Sequence, residues 1–215
     1  MIERNNPIAD VKILIAFYSR GGSTEVLANA IAEGARAEGA EVTLRRAREV
    51  VSREIMAHAE GWIENADRMN AIYEAPTPGD AEAADGIIFG CPTRFGSIAS
   101  ELKAYIDSLG GLWFQGKLNG KAGSAFTSTQ SVHGGNESTS LALYNPMVHL
   151  GMVIVPLGYA DPALFKAGTP YGASAVTGQD NAPPTADDLE VARFQGKRVA
   201  QVAKALKAAG MTQTQ

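Results

Sequence analysis

The sequence predicts a doubly wound α/β domain with a parallel sheet of about five strands and helices on both faces. Two observations lead to this prediction. Short, nearly unbroken apolar runs such as VKILIAFY (11–18) alternate with segments of helical periodicity, and polar loops that contain glycine follow several of these runs. Strands of a parallel sheet are buried on both faces and are therefore continuously apolar. Strands that alternate with helices are typical of this fold class.

The individual elements follow from the same patterns. The apolar or alternating runs predict strands over residues 11–18, 41–46, 86–91, 121–127 and 152–157. Apolar residues at helical spacing predict helices from Ser23 to about Gly39, from 98 to 109, from 141 to 150 and from about 185 to 209.

A single domain is expected over residues 1–215, because this length is enough for one sizeable core and short for two. Within it, residues 1–10 are expected to form an N-terminal extension and residues 210–215 a disordered tail. Two segments, 48–85 and 160–184, are too long for simple connections and interrupt the alternation of strands and helices. Long loops in compact domains often carry function.

Composition and charge exclude several classes of function. A net charge of -4 gives no general affinity for nucleic acid, whose binding depends on basic surface. The N-terminal residues lack the pattern of a secretory leader, and the apolar runs are too short for a membrane span. Cys91 is the single cysteine, which excludes an internal disulfide framework and a multi-cysteine zinc site. A cytoplasmic protein without a bound metal or a membrane-inserted segment is therefore expected.

The loop after the first predicted strand is dense in hydroxyls and glycines. In a parallel sheet this loop precedes a helix N-terminus, whose free N–H groups and dipole favour an anion. The loop has neither the lysine of a triphosphate-binding loop nor the G-x-G-x-x-G pattern. A phosphate monoester is the predicted ligand, and a plain turn with Ser23 as helix cap is the alternative. The loop consists of Ser19, Arg20, Gly21, Gly22, Ser23 and Thr24.

Two further polar loops follow the third and fourth predicted strands. Ligands of open parallel sheets bind beyond the carboxyl ends of the strands. The three loops are therefore expected to converge on one site, where a flat ring system lies with its phosphate on the first loop. Each loop taken alone is also compatible with an ordinary turn. The two loops contain Thr93, Arg94, Phe95 and Gly96, and Ser128, Thr129, Gln130, Ser131, Val132 and His133.

Four motifs resemble the WrbA family of flavodoxin-like NAD(P)H:quinone oxidoreductases. They are PTRFG (92–96), GGLW (110–113), GMVIVP (151–156) and GTPYG (168–172). The resemblance extends in order from Val11 to about Ala205. It implies a flavodoxin-like sheet with strand order 2-1-3-4-5, a bound FMN, and a homotetramer in which neighbouring subunits help to form the flavin pocket.

The resemblance also implies roles for individual residues. Residues 19–24 match the phosphate loop, residues 93–96 the segment along the flavin ring, and residues 128–133 the third flavin loop. Trp113 matches an aromatic residue that borders the quinone and nicotinamide pocket. His149 matches a histidine near the ring and, with Arg94, is the candidate catalytic residue. His133 is a further candidate proton donor, since the pKa of histidine lies near neutrality.

The implied activity is two-electron reduction of a quinone by NADH or NADPH, with the two substrates using the same place in turn. Three alternatives remain open from the sequence: a one-electron carrier flavodoxin, an NAD(P)H-dependent flavin or azo reductase, and a flavin-free scaffold. The family pattern is not matched everywhere, because Gly21 replaces a frequent aromatic residue and the third loop is less rich in glycine. For Trp62 the expectation is packing or a subunit contact, and for Cys91 a buried apolar position.

Overall fold

The computed structural model describes residues 11–212. The predicted N-terminal extension, 1–10, and residues 213–215 of the predicted tail lie outside the described residues. Residues 210–212 form a turn in which the Met211 N–H donates to the Leu206 carbonyl at 3.0 Å. Among residues 11–212, no helix combines the length and the apolar character needed to cross a membrane.

Residues 11–212 contain six β-strands, eight α-helices and one short 3-10 helix. The strands are β1 (Lys12–Phe17), β2 (Glu41–Arg46), β3 (Gly86–Pro92), β4 (Ala122–Thr129), β5 (Val153–Ile154) and β6 (Ser174–Val176). The helices are α1 (Ser23–Ala37), α2 (Arg53–Met56), α3 (Trp62–Ile72), α4 (Pro78–Ala83), α5 (Ser100–Ser108), α6 (Gly110–Phe114), α7 (Asn136–His149) and α8 (Ala186–Ala208), with the 3-10 helix at Pro162–Phe165.

The sheet has the order β2-β1-β3-β4-β5, and all of its pairs are parallel. This confirms the predicted fold class and strand order. The predicted fifth strand, 152–157, is shorter than expected and has a continuation. Val153 pairs with Ala122 at the start of β4, whereas Ser174 of β6 pairs with Thr127 at its end. The chain leaves the sheet near Pro156, which has no N–H for a ladder, and returns at β6.

Two apolar cores cover the two faces of the sheet. Alternate side chains of β1 point to opposite faces, as the period of a strand requires. One core joins Ile13, Ile15 and Phe17 of β1 to residues of α1 and α8, including Leu27, Ile31, Val191 and Val199. The other joins Leu14, Ala16 and Tyr18 to residues of α5 and α7, including Leu102, Ile106, Leu143 and Met147.

Candidate functional site

Three loops meet at the carboxyl ends of β1, β3 and β4, and hydrogen bonds tie them together. The Tyr18 N–H donates to the Gly90 carbonyl at 2.9 Å, which joins the residue just before the first loop to β3. The Thr93 N–H donates to the Ser128 carbonyl at 2.9 Å. The hydroxyls of Thr24 and Ser128 are 2.9 Å apart and buried. The convergence expected from the sequence is therefore present, and it is fixed by contacts between all three loops.

The first loop presents free backbone donors at the start of α1. Gly22 has a left-handed backbone with φ of 103°, which turns the chain into the helix. The Ser19 hydroxyl oxygen accepts the N–H groups of Gly22 at 3.1 Å and Glu25 at 3.3 Å, so Ser19 and not Ser23 caps this end. The N–H groups of Gly21, Ser23 and Thr24 have no acceptor among residues 11–212. Free N–H groups at a helix start suit an anion.

The three loops line an open cavity of about 680 Å³. A phosphate monoester of a flat ring system fits its chemistry, because the first loop supplies free N–H groups and hydroxyls at one end while the other two loops line a longer wall. The lining residues from the predicted loops are Ser19, Arg20, Gly21, Ser23, Thr24, Thr93, Arg94, Ser128, Thr129 and Gln130.

Other predicted residues of these loops do not line the cavity of the single chain. Gly22 and Gly96 serve as left-handed turn residues. Ser131, Val132 and His133 are exposed beyond the rim of the third loop. Phe95, in the segment predicted to lie along the ring, is fully exposed and has a left-handed backbone with φ of 55°. Such a conformation is uncommon for an aromatic residue and is of the kind that clusters at functional sites.

Trp113 and His149 lie together, but at the opposite edge of the sheet. They line a cleft of about 410 Å³ between α5, α6 and the end of α7. His149 is the last residue of α7, whose first residue, Asn136, follows the third loop. At 1.5 Å per residue the helix separates the two by about 20 Å. Within one chain, therefore, neither Trp113 nor His149 borders the cavity of the three loops.

A buried arginine is hydrogen-bonded to the backbone of the first loop. The Arg46 side chain is completely buried, and it donates to the Ser19 carbonyl at 2.9 Å and to the Asn70 side chain at 2.7 Å. It is also paired with Glu49. Its guanidinium carbon lies 5.4 Å from the centroid of the Tyr18 ring. Burial raises the pKa of the Tyr18 hydroxyl, and the charges of Glu101 and Glu49 raise it further, so this phenol stays neutral.

A model of the NADPH-dependent FMN reductase family matches residues 10–162, well over half of the chain. The chain belongs to this family. Two curated relatives that are similar to this chain are named NAD(P)H dehydrogenase (quinone). One, from Sinorhizobium fredii, is 45% identical over 91% of this chain and 98% of its own length. The other, from Geotalea uraniireducens, is 43% identical over 91% of this chain and 99% of its own length.

Solved structures agree with this family assignment. A flavodoxin, WrbA-like protein from Agrobacterium tumefaciens is 27% identical with a TM-score of 0.65, over 91% of this chain and 99% of that one. The resemblance to WrbA-like proteins expected from the four motifs is thereby confirmed. Flavodoxin 2 from Bacillus cereus, at 21% identity and a TM-score of 0.56, covers 89% of this chain and 99% of its own and shows the shared fold.

Sequence reasoning missed several residues that line the cavity of this FMN reductase family member. Both long excursions contribute residues to the lining of this cavity. These residues are isolated in the sequence and belong to no helical or strand periodicity, so the pattern did not indicate them. The length of the two excursions indicated a function for them, but it indicated no individual residue. The missed residues are Ala59, Glu60, Trp62 and Asn65 from the first excursion and Thr177 and Asn181 from the second, and Pro92 of the PTRFG motif lines the cavity with them. Among residues 11–212, no group of three or more His, Cys, Asp or Glu side chains is placed to hold a metal.

Proposed function

We propose that this protein binds FMN and catalyses the two-electron reduction of a quinone to a hydroquinone by NADH or NADPH, in the cytoplasm. The observation that carries the proposal is the first loop. Its residues carry free N–H groups and hydroxyls, and they line a cavity whose volume of about 680 Å³ has room for a ring system as well as a phosphate. The family of FMN reductases and the names of the two curated relatives support the same chemistry.

Residues of the three loops would hold the cofactor by its two ends. Ser19, Thr24 and the N–H groups of the first loop would bind the phosphate. Thr93, Arg94 and residues 128–130 would lie along the ring. Bound FMN supplies the chemistry of accepting two electrons from a hydride donor and passing them to a quinone.

Arg94 is the charged residue of the wall formed by the second loop. Its guanidinium donates to the Thr93 carbonyl at 2.9 Å, which holds the cation close to the backbone of that loop. A fixed cation there favours negative charge that develops on the ring or on the quinone oxygen during electron transfer. Arg94 would therefore stabilise the reduced state and leave the protonation of the quinone to solvent or to a second residue.

Another subunit would supply that second residue. Phe95, Trp113, Phe114 and Val148 are large apolar side chains exposed on the surface of the chain. We infer a homotetramer in which the cleft that contains Trp113 and His149 of one copy faces the open cavity of another. His149 would then donate a proton at the site, and Trp113 would border the substrates. Light scattering is expected to give a particle of four chains, and a fully active monomer would overturn this arrangement.

A free-flavin reductase is the second candidate, because the matched family is described as NADPH-dependent FMN reductases. Steady-state oxidation of NADH and of NADPH by the purified protein, with benzoquinone or free FMN as acceptor, separates the two activities. We expect kcat/KM for the quinone to exceed that for free FMN by at least tenfold. The reverse order would favour the flavin reductase. A protein that accepts electrons only in two separate one-electron steps would be a carrier.

A further inference from the structure

We propose that Trp62 positions Arg20 for the phosphate of the flavin, so that α3 forms the outer wall of the phosphate end of the cavity. This inference rests on the proposed function, since it names a residue that sets the selectivity of the same site for a phosphate monoester. Trp62 belongs to the excursion at 48–85 and lies outside the three loops that were predicted to form the site.

The contact that carries the inference joins the first loop to the start of α3. The guanidinium carbon of Arg20 lies 3.9 Å from the centroid of the Trp62 ring. A cation over the face of a tryptophan at this distance is attracted by the ring. Arg20 is a long side chain on a loop with two glycines, and without such a contact it would sample many rotamers. The ring therefore holds the guanidinium in place before a ligand arrives, which reduces the entropy lost on binding.

Helix α3 is itself fixed against the loop and α1 at two further points. Arg68 donates to both carboxylate oxygens of Glu25, in the first turn of α1, at 3.0 and 2.5 Å. Asn70 accepts from Arg46, which in turn donates to the Ser19 carbonyl. Together with the Trp62 contact, these bonds link three positions along α3 to the phosphate loop and to the first turn of α1. Helix α3 is thus fixed against both, and Trp62 has a defined place.

The lining of the cavity identifies what this wall faces. Trp62, Glu60 and Asn65 line the same cavity as Arg20, Ser23 and Thr24. In addition, the indole N–H of Trp62 is buried and has no acceptor among residues 11–212. A buried donor without a partner is rare and indicates a functional reason for keeping it. The indole ring of Trp62 contacts Arg20, which is the arginine of the loop proposed to bind the phosphate.

A positioned cation acts on the charged ligand and hardly on the uncharged one. FMN carries a phosphate with two negative charges, whereas riboflavin ends in a hydroxyl. The ratio of the two affinities therefore reports on Arg20, and a general defect of the ring site cancels in that ratio. If Trp62 acts through Arg20, its removal lowers the ratio only while Arg20 is present.

The experiment measures the dissociation constants of FMN and riboflavin for the flavin-stripped protein by quenching of flavin fluorescence. We expect Trp62→Leu to lower the preference for FMN about tenfold and Arg20→Met to lower it at least as much. Trp62→Leu in the Arg20→Met background should cause no further loss. Trp62→Phe keeps an aromatic face and should retain most of the preference. Glu64→Gln, on the exposed side of α3, is the matched control.

Two outcomes would overturn the inference alone. In the first, wild-type protein binds FMN tightly, but Trp62→Leu weakens FMN and riboflavin equally. In the second, the effects of Trp62→Leu and Arg20→Met on the preference simply add. Trp62→Met, which fills space without an aromatic face, replaces the leucine variant if that protein does not fold. A folded wild-type protein that binds neither flavin would overturn the proposed function and this inference with it.

Discussion

Ser19 has two tasks in the first loop. Its oxygen accepts two backbone N–H groups at the start of α1, and the residue also lines the cavity of the three loops. Thr24, the second residue of α1, shares a hydrogen bond with Ser128 of the third loop. The two residues therefore shape the loop and line the cavity at the same time.

The variant Ser19→Ala/Thr24→Ala is expected to bind FMN at least about a hundredfold more weakly, because hydrogen bonds to charged groups contribute about 1.5–3 kcal/mol each. Riboflavin, which lacks the phosphate, should lose far less. Loss of the Ser19 cap should also lower the free energy of unfolding by about 1 kcal/mol. Fluorescence titration with both flavins checks the binding, with Ser52→Ala as a control at a side chain that caps nothing. Equal loss of both flavins would show that the loop does not bind the phosphate.

Cys91 is expected to be chemically inert in the folded protein. It is completely buried at the end of β3, and burial raises the pKa of its thiol to about 12. The thiolate is the reactive form, and almost none is present between pH 7 and pH 9. A thiol reagent such as DTNB should find no reactive group in native protein and one per chain in guanidinium chloride. Rapid native labelling would contradict the buried position.

At the residue scale, the sequence predicted positions that follow from a strand end. Ser19, Thr93 and Ser128 come directly after or at the end of strands, so the topology alone brings them together. The sequence did not predict a role for Trp62 at the site. Its partner Arg20 is distant in the chain, and a contact between two such residues produces no periodic pattern. For His149 the predicted place beside the ring is not reached within one chain, since α7 carries it to the other edge of the sheet.

Helix α3 is held to the rest of the molecule mainly by polar contacts. Of its residues, only Ala66 and Met69 are buried. Its contacts to α1 and to the first loop are ionic and hydrogen-bonded, through Arg68, Asn70 and the buried Arg46. A segment of this kind depends on a few charged groups for its position.

Arg46→Met is expected to lower the free energy of unfolding by about 3–5 kcal/mol, because it leaves the nearly buried carboxylate of Glu49 without its partner. Adding Glu49→Gln should restore part of the loss. The control is Arg53→Gln in the same excursion, where Arg53 and Asp67 form an exposed pair, and here the urea midpoint should hardly move. Equal effects of the two arginine substitutions in urea unfolding would contradict a special role for burial.

Helices α1 and α8 cross with almost no space between their backbones. A Cβ atom on Gly196 would lie 1.9 Å from the Ile31 carbonyl oxygen, and one on Gly34 would lie 1.9 Å from that of Arg193. Gly196→Ala is therefore expected to reduce stability by about 1–3 kcal/mol, although alanine usually favours a helix. Gly79→Ala in α4, where the added atom makes only ordinary contacts, is the control. Thermal unfolding compares them, and an unchanged midpoint for Gly196→Ala would contradict the close crossing.

At the element scale, periodicity predicted the strands and helices that bury apolar residues on one or two faces. The predicted second strand, 41–46, coincides with β2, and the first helix begins at Ser23 as expected. Periodicity did not separate α2, α3 and α4, since short helices held by ion pairs expose most of their side chains. The division of the fifth strand into β5 and β6 was not predicted either. Pro156 was the one sequence feature that indicated a break in this strand.

At the scale of the whole molecule, the two edges of the sheet have different characters. The carboxyl edge carries the polar cavity of the three loops, and the opposite edge carries the more apolar cleft of Trp113 and His149. A single chain does not bring the two together, and the tetramer proposed above would place the cleft of one copy against the cavity of another.

The most direct test is quinone reduction by flavin-stripped protein before and after reconstitution with FMN. Oxidation of NADH or NADPH in the presence of benzoquinone should be absent without flavin. It should be restored by FMN at one molecule per chain, and restored by riboflavin only at much higher concentrations. Folded protein that remains colourless and inactive after incubation with FMN would contradict the account.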